Sequence, residues 1–209
     1  ANPTGPLHVG HGRGAIYGDV ISKLLEKKGH EVQKEYYVND AGRQIDILTA
    51  SVYLRAIEIE DNIFPESAYR GEYIKEIAKN ANLQDAVNID DLFKSLPEDD
   101  EEKIDKIISH LKSASEKDWK SIKKVSLESV LSTIEKDLED FGVTFDNWFF
   151  ESSLIGADSK IDAAVQQLNT NNLIDNRDGN IWFKSSGFGD DKDRVLVRAD
   201  GRQTYFASD

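Results

Sequence analysis

Apolar residues return every fourth position early in the chain, at Ile16, Val20 and Leu24, and this spacing predicts a helix over 13–28 that Gly29 terminates. The preceding stretch, 1–12, is rich in Gly, Pro and His and predicts a loop or strand end. Tyr36, Tyr37 and Val38 close a predicted strand over 32–38. Ile45, Leu48, Val52, Ala56 and Ile59 then form one stripe of a second helix over 42–59. This order of elements predicts α/β architecture, a parallel sheet with crossover helices.

The pattern changes after residue 60. Residues 61–145 are highly charged and helical in spacing. Ile104, Ile107, Ile108 and Leu111 mark one amphipathic helix, and Leu127, Val130, Leu131, Ile134, Leu138 and Phe141 another. Ile161, Ala164, Val165 and Leu168 mark a third. The run PEDDEE at 97–102 reads as an acidic helix start favoured by the helix dipole, or as a solvated face. Residues 173–184 predict a hairpin turning at Asp178-Gly179. Arg194–Arg198 and Gln203–Ala207 read as two strands joined through Asp200-Gly201. The expected division is a half-sheet at 1–60, a mainly helical insertion with a small hairpin at 61–192, and return strands at 193–209.

Composition narrows the classes. The 209 residues carry a formal net charge of −13. So acidic a chain lacks the broad basic surface of a stand-alone nucleic-acid binder, although a local basic patch remains compatible with contact. There is no cysteine, which excludes disulfides and thiolate metal sites and is compatible with a reducing, cytoplasmic compartment. No apolar run approaches the roughly 18 residues of a membrane span. The chain opens on Ala1, has no Met and stops in a strand-like run, so it reads as an excised piece of a longer chain.

The densest chemistry lies in Gly5-Pro6-Leu7-His8-Val9-Gly10-His11-Gly12. Two histidines three apart can be metal ligands, but no third ligand is fixed by spacing, and a metal is not expected. Small residues let a nucleotide approach the backbone, and the following helix start offers amides to phosphate. Two imidazoles can donate hydrogen bonds to phosphoryl oxygens as charge develops.

The run Asn2-Pro3-Thr4-Gly5-Pro6-Leu7-His8-Val9-Gly10-His11 resembles the ATP-binding signature of class I aminoacyl-tRNA synthetases, in the form found in arginyl enzymes. Later segments resemble that family in the same order. They are Tyr36-Tyr37-Val38-Asn39-Asp40-Ala41-Gly42, then Phe188-Gly189-Asp190-Asp191-Lys192-Asp193-Arg194-Val195-Leu196-Val197-Arg198, then Asp200-Gly201 with Thr204-Tyr205-Phe206 and Asp209. The resemblance implies a Rossmann-like parallel half-sheet of the HIGH type with a large, mainly helical insertion. It implies arginine–tRNA ligase activity, with L-arginine, ATP accompanied by Mg²⁺, and tRNA as substrates. A cytoplasmic monomer without structural metal or membrane contact is the further expectation.

By the same resemblance, His8 and His11 act on the ATP α-phosphate, and Gly5, Pro6 and Gly10 complete the ATP site. Asn2 contacts the arginine substrate, Asp209 pairs with its guanidinium and Tyr205 packs against or hydrogen-bonds to it. Asn39 and Asp40 face the same site. Each has an ordinary reading beside it. Tyr205 can be a strand aromatic, Asp209 a terminal charge, and Asn39-Asp40 a helix cap. Arg198 and Arg202 can be solvated, Trp119, Trp148 and Trp182 packing residues, and His30 and His110 surface residues. The lysine-containing loop that steadies the ATP phosphates in the family is not found here, so the 209 residues alone are expected to be inactive. Two other classes stay open: a nucleotidyltransferase of the H-x-G-H type, and a binding or structural piece without turnover.

Overall fold

The structure, a computed structural model, describes residues 2–84, 87–154, 159–201 and 203–208. The chain divides into two compact units, Ala1–Trp148 and Phe149–Asp209.

In the first unit, helix α1 (Val9–Lys27) leads to strand β1 (Glu35–Val38) and helix α2 (Arg43–Ala56). Helices α3 (Glu72–Lys79), α4 (Asp90–Lys94), α5 (Asp100–Ala114) and α6 (Glu116–Asp140) follow, and strand β2 (Asn147–Phe150) begins at its end. The predicted alternation and amphipathic spacing are present with shifted boundaries: β1 starts at Glu35 rather than 32, and α2 ends at Ala56 rather than 59. Helix α1 starts at Val9, inside the stretch expected to be loop. Its end is as expected: Gly29 has φ +87, and the His30 amide reaches the Leu25 carbonyl at 3.1 Å, which satisfies the last turn.

Helix α2 is the centre of this unit. It packs against α3, α5 and α6. One apolar stripe is expected from its sequence, yet every residue from Ile47 to Leu54 is buried. Partners on several sides explain this, since a helix buried all round needs no solvated face. Its buried threonine and serine hydroxyls are satisfied locally: Thr49 Oγ1 donates to the Ile45 carbonyl at 2.8 Å and Ser51 Oγ to the Ile47 carbonyl at 2.7 Å. Leu48 and Tyr53 are fully buried, as are Ile74 of α3 and Ile104, Ile107 and Leu111 of α5.

The acidic run at 97–102 holds structure together rather than merely facing water. Asp99 caps α5, accepting from the Glu102 amide at 2.9 Å. The Asp100 carboxylate accepts from the amides of Glu66 and Ser67 and so pins the preceding loop to α5. Strand β1 alternates as a half-buried strand should, Tyr36 and Val38 inward and Tyr37 outward. Tyr36 stacks on Trp148 with ring centres 4.4 Å apart. Trp119 is buried in the core, so both tryptophans of this unit serve packing.

The second unit holds helix α7 (Lys160–Thr170), strands β3 (Ile174–Arg177), β4 (Asn180–Phe183) and β5 (Arg194–Val197), helix α8 (Tyr205–Ser208), and single 3-10 turns at Glu151–Leu154 and Ser185–Phe188. The predicted hairpin is present, and Asp178 and Gly179 both take positive φ, +51 and +77, as a type I′ turn requires. Strand β5 pairs antiparallel with β4 and extends the hairpin to three strands. The expected strand at 203–207 is corrected: Gln203 makes an isolated bridge to Val197, and the chain then turns into α8. Thr204 drives that turn, its Oγ1 donating to the Val195 carbonyl at 2.6 Å. Among the described residues, no helix is long and apolar enough to cross a membrane.

Candidate active site

The start of α1 gathers the sequence motif into one geometry. His8 is the N-cap, with extended backbone, and its Nδ1 accepts from the Gly10 amide at 3.1 Å. His11, one turn on, returns the bond: its Nδ1 accepts from the His8 amide at 3.3 Å. Two imidazoles thus replace the hydroxyl and carboxylate of the usual reciprocal capping box. Their rings stack 3.7 Å apart, 20° from parallel. An Nδ1 that accepts a hydrogen bond carries no proton, so each neutral ring holds its proton on Nε2. Burial first, and then the charge of His8, hold the His11 proton affinity below the usual histidine range.

Gly10 gives this arrangement its room. A Cβ there would stand 3.0 Å from His8 Cε1 and 3.1 Å from His8 Nδ1, tight enough that the ring would have to give by a few tenths of an ångström. Beside the pair opens a cavity of about 530 Å³, lined by Leu7, His8, Val9 and Ile16 from one side and by Leu138 and Phe141 at the end of α6 from the other. That volume is within the range of small-molecule sites.

The loop ahead of His8 is held from α2 and α3. Asn2 Nδ2 donates to Gln44 Oε1 at 2.5 Å. The Tyr73 hydroxyl donates to the Thr4 carbonyl at 2.7 Å. Asn39 and Asp40 follow β1, and Asp40 is buried. Neither is the cap of α2, because the cap position is Gly42, which makes no side-chain bond. Among the described residues, no group of three or more His, Cys, Asp or Glu is arranged to hold a metal ion.

The family whose description is tRNA synthetases class I (R), catalytic domain, matches residues 1–209. The chain belongs to this family.

Relatives of the class I (R) domain agree. An arginine–tRNA ligase from Acinetobacter baylyi is 44% identical over 234 residues, covering 100% of this chain and 39% of that protein. The solved structure of an arginyl-tRNA synthetase from Campylobacter jejuni is 35% identical with a TM-score of 0.72, covering 100% of this chain and 41% of the other. An arginyl-tRNA synthetase structure from Thermus thermophilus, at 22% identity and a TM-score of 0.65, shares the fold and covers 99% of this chain and 33% of the other. The chain thus spans about two fifths of the curated relative's length. Membership in the class I (R) family also settles the choice against a compact nucleotidyltransferase.

Other expected site residues of this class I (R) domain belong to the second unit. Tyr205 opens α8 and is 76% exposed. Asp209 and Arg202 lie outside the described residues. Arg198 is exposed, in line with its solvated reading, and Trp182 is half-buried with its indole nitrogen enclosed. His30 is exposed as expected, but His110 is only half-exposed and its Nε2 is enclosed by protein. Sequence reasoning did not single out Gln44, Tyr73 or Phe141 as residues of the site. Each meets the motif from a distant part of the chain, and no local spacing announces such a contact.

Proposed function

We propose that this domain is the part of an arginine–tRNA ligase that binds ATP and activates arginine. Arginine's carboxylate attacks the α-phosphorus of ATP, arginyl-adenylate forms and pyrophosphate leaves. The arginyl group then passes to the 3′-terminal adenosine of tRNA. The observation that carries this reading is the stacked His8–His11 pair, of which His8 lines a cavity of about 530 Å³, in a chain of this family.

With each Nδ1 engaged by backbone, each Nε2–H is the donor left for the α-phosphate, where charge grows in the transition state. Catalysis is therefore positioning and electrostatic stabilisation, with no covalent enzyme intermediate. Gly5, Pro6 and Gly10 shape the ATP site around the pair. Mg²⁺ enters with ATP, held by the nucleotide's own phosphates, as its reluctance to lose water favours. Asn2, Asn39, Asp40, Tyr205 and Asp209 are assigned to arginine. A carboxylate acceptor at Asp209 suits a planar guanidinium. Residues 1–60 and 193–209 are assigned to the nucleotide-binding domain and 61–192 to an insertion that meets the tRNA acceptor end. A cytoplasmic monomer completes the proposal.

Arginine-dependent exchange of pyrophosphate into ATP, measured on the full-length protein that carries this segment, tests the reading. Exchange is expected with arginine and not with lysine. Exchange driven by another amino acid, or none with any, would overturn it.

A further inference from the structure

Tyr73 lies in the first turn of α3, far in sequence from the histidine motif, and its hydroxyl reaches back 69 residues to the Thr4 carbonyl. Two glycines leave room for its ring. A Cβ on Gly5 would stand 3.0 Å from the Tyr73 hydroxyl oxygen, and one on Gly71 would stand 2.5 Å from ring atom Cε1. The phenol is half-buried, and burial first, then nearby Tyr69, push its pKa up to about 12, so it stays a donor at any physiological pH. Its helix is firmly seated, since the next residue, Ile74, is fully buried, Ile77 nearly so, and α3 packs on α2.

We propose that Tyr73 is a positioning residue for the nucleotide loop, fixing where His8 stands by holding the loop at Thr4. Only Gly5, Pro6 and Leu7 separate the tether from His8. Pro6 has a locked φ, so a shift at Thr4 is passed on rather than absorbed. Tyr73 therefore joins the helical core to the motif that meets ATP. The inference rests on the ATP reading above, and its test separates the two.

Two variants remove the tether differently. Tyr73→Phe deletes the hydroxyl and keeps the ring. Gly71→Ala keeps the hydroxyl and displaces the ring, at a backbone geometry (φ −61, ψ 157) that alanine adopts freely. In the full-length protein, both should speed deuterium exchange of the Thr4 and His8 amides, which donate to the Asn2 carbonyl and to His11 Nδ1, about 5-fold, the loss of one hydrogen bond. Both should also raise KM for ATP about 5-fold, because ATP then selects a loop held in place for a smaller fraction of the time. KM for arginine should change less, because Asn2 is held separately by Gln44. A merely structural role would lower the amount of active protein and leave KM for ATP as it was. Unchanged amide exchange overturns the tether, and faster exchange with unchanged KM for ATP overturns its role. If the parent protein shows no arginine-dependent exchange, the arginine–tRNA ligase reading fails, and amide exchange alone still decides whether Tyr73 holds the loop.

Discussion

The rings of His8 and His11 lie face to face, 3.7 Å apart, and each holds its Nδ1 against a backbone amide of the helix start they share. The two side chains therefore cap the helix and offer their other nitrogens outward as one unit. A cation on one ring opposes a second on its neighbour.

This arrangement sets a pH dependence. The folded His11 pKa lies below its ordinary value of about 6.5, with burial as the largest cause. The native state then binds fewer protons than the unfolded chain just below that pH. The stability that His11 contributes is present above about pH 6.5 and is lost as pH falls toward the folded value. Thermal unfolding scanned from pH 7.5 to 5.5 should show a falling Tm, and His11→Gln should flatten the slope. A slope unaffected by His11→Gln would contradict this.

Gly10→Ala should separate stability from activity. Alanine is about 1 kcal/mol better than glycine inside a helix, so Tm should hold or rise. The new Cβ meets His8 Cε1 at 3.0 Å and must push that ring aside. Arginine-dependent pyrophosphate exchange should fall by about 10-fold or more, at the low end for a displaced donor. Full activity in a more stable variant would show that the His8 position does not matter.

Leu48→Ala tests the core. Leu48 is fully buried on the helix that α3, α5 and α6 surround. Denaturant unfolding should report a loss of about 2–5 kcal/mol, the transfer and cavity costs together. A loss well under 1 kcal/mol would mean that α2 is not the packing centre.

Much of this was legible in the sequence because local physics decided it. Ile104, Ile107, Ile108 and Leu111 sit at helical spacing and all are buried. Asp178-Gly179 names its own turn, and both residues take the positive φ it demands. What was not legible depended on distant partners. Thr204-Tyr205-Phe206 has β-rich composition, yet the Thr204 hydroxyl bonds back to the Val195 carbonyl and a helical turn follows. Helix α1 begins earlier than expected because imidazoles do the capping that hydroxyls and carboxylates usually do. The Tyr73 bond to Thr4 spans 69 residues, and no spacing rule reaches so far.

Asp209→Asn separates the two substrates. A carboxylate paired with a guanidinium is worth more than a neutral hydrogen bond, so KM for arginine should rise about 10- to 100-fold. KM for ATP should stay within about 2-fold, because the role proposed for Asp209 is toward the amino acid alone. Steady-state pyrophosphate exchange with each substrate varied in turn measures both. Equal weakening would give Asp209 a structural role instead.

The direct measurement is the rate of arginyl-adenylate formation in a single turnover by the full-length protein, before and after His11→Ala. Loss of one preorganised donor predicts a fall of about 10²- to 10³-fold with arginine and ATP both saturating. An unchanged rate would contradict the account, because the stacked pair would then be only a helix cap.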